Sequence, residues 1–256
     1  MTPRTVAATL PESPVAASTV PRYEIAQWRA DHGIVAGITG RAGGFDIGLS
    51  SVDPMNVVLG RWEALRESLQ PGFSGLVVSH QCHGADIGTY RHPVDGVLIG
   101  DGLDGHATRL SGLVLGVTVA DCIPVYLLDP NSLAVAVLHA GWRGAAAGVL
   151  ERGIESLCQI AGVPAADLLM HCGVGICGAC YEVGGEVYRA VTGRRAEGPT
   201  PLDLREVLIE RAHSLGVVRA TVSGWCSAHD GAQFHSHRAS AATAGRMLAY
   251  IGRPVT

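Results

Sequence analysis

The sequence predicts an α/β fold of the mixed α+β kind, with mixed β-sheets flanked by helices in a single domain. Short apolar runs of strand length are interspersed with helical patterns along the chain. No repeat with a period of roughly 20–50 residues and no linker divides it. At 256 residues and 47% hydrophobic content, the chain has ample apolar material for a sizeable core.

The elements follow in order. Residues 1–22 are rich in Pro, Ser, Thr and Ala without periodicity and read as a flexible leader, which puts the folded domain at 23–256. Residues 33–40 (GIVAGITG) read as a strand running into a glycine turn. Residues 55–69 space Val58, Trp62, Leu65 and Leu69 as an amphipathic helix does. Residues 74–84 (SGLVVSHQCHG) read as a strand ending at a histidine-bearing turn. Residues 110–122 (LSGLVLGVTVADC), 123–130 (IPVYLLDP) and 133–144 (LAVAVLHAGWRG) supply three more buried strands. A helix over 145–162 ends at Gly162. Residues 167–183 form a strand entering a Gly-rich loop, 186–193 and 202–216 helices, 219–230 a strand and turn, and 239–252 a closing helix.

Composition excludes several kinds of chemistry. All 19 basic residues are Arg. A Schiff-base lysine, a Walker lysine and a Ser-Lys dyad are therefore ruled out. A net charge of −4 without a basic run argues against a nucleic-acid surface. The longest apolar stretches are strand-sized, too short for a membrane span. Seven cysteines, odd in number and unevenly spaced, together with Pro and Glu where a secretory segment needs an unbroken apolar run, read as reduced thiols in the cytoplasm.

Ligand-type residues stand at three strand-to-loop junctions: His83 in HQCHGAD, Asp121-Cys122 in VTVADCIPV, and His139 in AVLHAGWRG. Ends of neighbouring strands lie about 5 Å apart, so such residues can converge. Two imidazoles and a thiolate make a three-ligand zinc site with an open position, where coordinated water reaches a pKa of about 7. The alternative is a Cys122 nucleophile with His83 or His139 as its base. Asp121 suits orientation of a ligand, acid–base work or plain turn capping. Trp142-Arg143, between two glycines, puts an aromatic face and a bidentate cation on a tight turn. Cys177-x-x-Cys180 suits a redox dithiol or half a zinc finger. Without a second CxxC it reads as a pair of packed thiols. His235-x-His237, followed by Arg238 and Arg246, suits either a metal or an ordinary exposed segment.

The order HG, ADCIPV, HAGWRG, CYEVG, HSHR and GRM, over about residues 37–247, resembles the laccase-domain family. These proteins were once called multicopper polyphenol oxidases and are now understood as purine nucleoside phosphorylases. The resemblance implies His83, Cys122 and His139 as zinc ligands at a surface cleft of an α/β fold. It also implies phosphorolysis of adenosine, inosine and guanosine, cleavage of 5′-methylthioadenosine and deamination of adenosine, with purine nucleosides and phosphate as the small-molecule partners. On this reading Asp121, Cys122 and Arg143 are catalytic, and Arg41, Arg61, Arg143 and Arg238 bind substrate or phosphate. Copper-dependent phenol oxidation is also attached to the family. One His₂Cys site has copper's ligand types but cannot supply a multicopper cluster. A Cys122–His139 hydrolase or amidase acting in cell-wall precursor editing is a second alternative, and a non-catalytic metal- or partner-binding module a third. The chain departs from the usual pattern at Asp46, Gly60-Arg61, Val174, Ala179, His237 and Arg238-Ala239.

Overall fold

The computed structural model describes residues 7–16, 18–49, 51, 53–240 and 244–255. Two seven-stranded mixed sheets dominate it. The first has the order β1 (Ala8–Thr9), β15 (Arg219–Val222), β12 (Leu169–Cys172), β10 (Ile123–Leu128), β11 (Val135–Ala140), β8 (Gly105–Thr108), β6 (Ile87–Tyr90). The second runs β2 (Ser13–Pro14), β3 (Arg22–Glu24), β4 (Val35–Thr39), β16 (Met247–Arg253), β9 (Leu113–Val119), β5 (Gly75–His80), β7 (Gly96–Asp101). β13 (Glu182–Val183) and β14 (Thr200–Pro201) form a small separate ribbon.

The central strands are apolar on both faces, so alternate residues serve different cores. Tyr126 and Leu128 of β10, Val135 and Val137 of β11, and Leu115 and Val117 of β9 fill the space between the sheets, and Trp28 of α1 (Ala26–His32) belongs to the same core. Val125, Leu127 and Leu138 point outward, onto α4 (Val149–Ala161) and α6 (Leu204–Ser214). On the opposite outer face, Leu76, Val78, Val114 and Tyr250 pack with Val58, Trp62 and Leu65 of α2 (Met55–Ser68). The layering is helix, sheet, sheet, helix, and the expected α/β class with mixed sheets is what forms. Among the described residues no helix is long and apolar enough to cross a membrane.

Three expectations need correction. The stretch 1–22 is not a loose leader where it is described. β1 pairs with β15, β2 pairs with β3, and the proposed boundary at residue 22 falls on the first residue of β3. Glu12 is buried, accepts from Ser223 Oγ at 2.6 Å and meets His171 Nε2 at 3.2 Å, which ties the segment to the body. Strands two residues long leave no periodicity to read. The helix expected over 145–162 is broken at Gly148, whose φ of 88° lies in the left-handed region. This separates α3 (Trp142–Ala147) from α4, so Trp142 and Arg143 open a helix instead of lying on a turn. The closing helix is instead the central strand β16, preceded by the short α7 (His237–Ser240), with residues 241–243 outside the description. Met247, Ala249 and Ile251 enter the inter-sheet core while Leu248 and Tyr250 enter the outer one. An apolar run buried on both faces has no alternation to distinguish it from a buried helix.

Candidate active site

Topology brings the three ligand-type residues together. β5 and β9 are parallel neighbours, so the chain leaves both at one rim. Residues 81–83 follow β5; residues 120–122 follow β9 and cross to the other sheet, where β10 begins. β10 and β11 pair antiparallel with Pro124 opposite His139, which sets Cys122 beside Gly141. A Cβ on Gly141 would lie 2.8 Å from Cys122 Sγ and 3.3 Å from His83 Cδ2, so only glycine fits that close approach. His83 (φ 60°) and Asp121 (φ 86°) hold left-handed backbone conformations, a strain of about 1–3 kcal/mol each for non-glycine residues.

The donor atoms of His83, Cys122 and His139 all lie within 4.8 Å of one another. The two imidazole rings meet edge to face, with centroids 4.8 Å apart. His139 is buried, Cys122 is half-buried and His83 is exposed. Two nitrogens and a thiolate so placed fit a zinc-type ion with one side open to solvent.

Beneath them lies Asp104, fully buried, which the sequence reading missed. β8 pairs with β11, which places Asp104 next to His139, and the His139 amide donates to the Asp104 carbonyl at 2.7 Å. Its carboxylate accepts from His139 Nδ1 at 2.8 Å. It also accepts from the amides of Cys82, His83 and Gly84 at 3.1, 3.0 and 2.7 Å. One side chain thus shapes the His83 turn and fixes the His139 ring with Nε2 left for a ligand role, an arrangement typical of metal-binding histidines. Burial pushes the Asp104 carboxyl up, but hydrogen bonds from His139, Gly84 and Cys82 outweigh it and hold the pKa at about 2. Burial likewise works against a charged His139, yet the Cys122 charge and the Asp104 hydrogen bond bring it up to about 9. For Cys122, burial is outweighed by the charges and hydrogen bonds of His139 and His83, and the thiol comes down to about 6.

Two clefts meet at these residues. One of about 360 Å³ is lined by His83, Cys122 and His139 with Gln81, His237 and Arg246. The other, about 300 Å³, is lined by His83 and Cys122 with Asp121, Trp142, Arg143, Tyr181, His237 and Arg238. Both are of ligand size. A larger cavity of about 530 Å³, between α5 (Gly185–Thr192) and α6, contains none of the ligand-type histidines or cysteines.

Of the arginines expected at the site, Arg143 and Arg238 line the second cleft. The Arg143 guanidinium lies 4.4 Å from the centroid of its own neighbour Trp142, and that of Arg238 lies 5.1 Å from the Tyr181 ring. Arg41 and Arg61 line neither cleft. Arg41 donates to the Gly231 carbonyl, and Arg61 is held by the Asp46 carbonyl and an ion pair with Asp53. Arg246, which sequence reasoning left without a role, lines the first cleft instead. Asp121 borders the second cleft, but both its oxygens are engaged, by Ser227 Oγ and by the Arg238 amide, at 2.6 Å each. The His235-x-His237 pair divides: His237 faces the clefts, whereas His235 Nε2 lies 2.9 Å from the Phe45 carbonyl. Cys177 and Cys180 are not an isolated pair, because Cys226 and His229 stand against them.

The family described as multi-copper polyphenol oxidoreductase laccase matches residues 32–254. Purine nucleoside phosphorylase YlmD of Geobacillus stearothermophilus is 31% identical over 248 residues, covering 86% of this chain and 90% of that protein. Adenosine deaminase RL5, from an unknown prokaryotic organism, is 34% identical over 166 residues, 60% of this chain and 63% of that protein. The crystal structure of YlmD from Geobacillus stearothermophilus superposes with a TM-score of 0.83 at 27% identity, covering 95% of this chain and 99% of that one.

Proposed function

The chain belongs to the multi-copper polyphenol oxidoreductase laccase family, and from that premise we propose that it is a zinc-dependent enzyme of purine nucleosides. It phosphorolyses adenosine, inosine, guanosine and 5′-methylthioadenosine, and it deaminates adenosine. The observation that carries this reading is the convergence of His83, Cys122 and His139 where two ligand-sized clefts meet. The names of the relatives, phosphorylase and deaminase, agree with it.

His83, Cys122 and His139 hold the ion, and copper shares these ligand types. When bound, the metal supplies a Lewis acid beside the substrate. Asp104 keeps His139 in one tautomer and the His83 turn in one conformation. Arg143 and Arg238, on the wall of the second cleft, offer charge-assisted donors for phosphate, a role that falls to Arg in a chain without Lys. Asp121 is a positioning residue here: with both oxygens engaged it anchors the Ser227 and Arg238 segments next to Cys122. None of the seven cysteines is joined to another in a disulfide, which suits a reducing cytoplasm.

A second reading has its own observation. Cys122, His139 and Asp104 are ordered as nucleophile, base and orienting carboxylate, and the Cys122 thiol is brought down to about 6. That order also serves a metal-free cysteine hydrolase.

The test is a panel of the four nucleosides, each with and without phosphate, on the metal-loaded chain and after chelation. The proposal expects phosphate-dependent release of free base, conversion of adenosine to inosine without phosphate, and loss of both on chelation. Turnover that survives chelation and disappears on thiol alkylation selects the hydrolase. Absence of base release and of deamination across the panel contradicts the nucleoside reading.

A further inference from the structure

The proposed reaction leaves one cluster of soft ligands unused. β12 and β15 run parallel, with Cys172 opposite Val222, so the chain leaves both strands at the same rim. The pairing continues past the strand ends: the Ser223 amide donates to the Cys172 carbonyl at 2.8 Å, Gly175 bridges Cys226, and the Ser227 amide donates to the Gly175 carbonyl at 3.0 Å. This brings two tight turns face to face, each carrying ligand-type residues three positions apart. Cys177 and Cys180 belong to one turn, closed by the Cys180 amide on the Cys177 carbonyl at 3.1 Å. Cys226 and His229 belong to the other. The three sulfurs and an imidazole nitrogen all lie within 4.8 Å of one another. His229 Nε2 is 3.1 Å from Cys180 Sγ, and Nδ1 is 3.6 Å from Cys177 Sγ. Tetrahedral zinc, with Zn–S about 2.3 Å and Zn–N about 2.0 Å, separates its ligand atoms by roughly 3.5–3.8 Å.

We propose that Cys177, Cys180, Cys226 and His229 form a second metal site, a closed Cys₃His centre for a structural Zn²⁺. Thiolates select zinc over the hard cations magnesium and calcium, and four protein ligands leave no position for substrate. Supporting contacts are in place. The Cys177 amide donates to Cys226 Sγ at 3.3 Å, and the Asp230 carboxylate accepts from the Cys226 amide at 2.8 Å, fixing the second turn. Cys226 is buried, Cys177 and Cys180 are half-buried and His229 is exposed, which gives the ion a way in.

The centre ties together two loops that support the active site. The Ile176 amide donates to the Asp121 carbonyl at 2.9 Å, and Ser227 Oγ donates to the Asp121 carboxylate at 2.6 Å. Ile176 and Tyr181 also line the second cleft. Zinc at the Cys₃His centre clamps that wall and the residue that precedes Cys122.

The Cys122→Ser chain is the material for the test, because it lacks a ligand of the first site and isolates the second. Expressed with zinc and purified under reducing conditions, it is expected to hold one zinc per chain. Loaded with Co²⁺, it is expected to show the sulfur-to-cobalt charge transfer of a tetrahedral thiolate site. Adding Cys177→Ser and Cys180→Ser should remove both signals. Adding His229→Ala, at an exposed position and with the fold checked by circular dichroism, should weaken zinc binding by about 10²-fold. The proposal is overturned by a Cys122→Ser chain that takes up neither metal, by zinc content unchanged when Cys177 and Cys180 are both replaced, or by a Cys177–Cys180 disulfide that persists under reducing conditions.

Discussion

The two Cys/His clusters lie on the same rim of the first sheet but are built differently. His83, Cys122 and His139 come from three separate strand ends, two of them with left-handed backbone at or beside the ligand, and a buried carboxylate holds the set together. Cys177, Cys180, Cys226 and His229 come from two tight turns whose ligands are already close along the chain, and the group is largely half-buried or exposed. The first has three ligand-type residues and opens onto two clefts. The second has four such residues and opens onto neither cleft. On the two proposals above, the open, strained site with its buried carboxylate serves chemistry, and the facing pair of turns serves to cross-link loops.

This contrast predicts that damage to the first cluster appears in turnover and damage to the second in stability. The largest effect is expected from Cys122→Ser, which removes a ligand of the open site. Lewis-acid stabilisation of several kcal/mol corresponds to a loss of roughly 10³-fold in kcat/KM, measurable with inosine and phosphate. Next comes Arg143→Ala. With metal content intact, phosphorolysis should fall by about 10²-fold, the scale of one lost preorganised donor, while adenosine deamination suffers less. Arg61→Ala is its control: tied to Asp46 and Asp53 and outside both clefts, it should leave the KM for phosphate unchanged.

Asp104→Asn should cost about 10–100-fold in metal affinity or activity, the usual range for a carboxylate behind a ligand histidine. It also carries a pH signature in the metal-free chain. The folded carboxyl is held down at about 2, below its ordinary value of 3.8. A depressed carboxylate contributes stability that is full above the unfolded value and is lost as pH falls through the folded one. About 2 kcal/mol should therefore disappear between pH 3.8 and about 2 in denaturant titrations, and the Asn variant should lack that slope. The smallest effect on turnover is expected from His229→Ala. Its mark is thermal: the zinc-loaded variant should unfold at lower temperature, by roughly 2–4 °C for each kcal/mol lost. Turnover falling as far as in Cys122→Ser would erase the distinction between the clusters.

Much of this was legible in the sequence, for identifiable reasons. The core strands announce themselves as apolar runs, and Val58, Trp62 and Leu65 mark α2 by their spacing. His83, Cys122 and His139 stand out because ligand types sit just where apolar strands end. Asp104 gave no such signal, since an aspartate before a short strand looks like a turn residue, and only the pairing of β8 with β11 puts it under His139. The Cys₃His cluster was half visible. Cys177-x-x-Cys180 stands out in the sequence, but its partner is Cys226-x-x-His229, not a second CxxC, and the parallel pairing of β12 with β15 is what joins them. β16 reads as a helix in the sequence because its apolar residues face two cores at once. β1 and β2 leave no local signal because the contacts that hold their segment, such as Glu12 with Ser223, are far away in sequence.

The most direct test of the central claim is a zinc titration of the metal-free chain, following hypoxanthine release from inosine and thermal unfolding on the same samples. For the wild type, turnover should be absent without metal, rise as zinc is added and require phosphate throughout. For Cys122→Ser, zinc should still raise the unfolding temperature while turnover stays at the metal-free level. Phosphorolysis by the metal-free wild type, or its recovery in zinc-loaded Cys122→Ser, would contradict the assignment of the reaction to His83, Cys122 and His139.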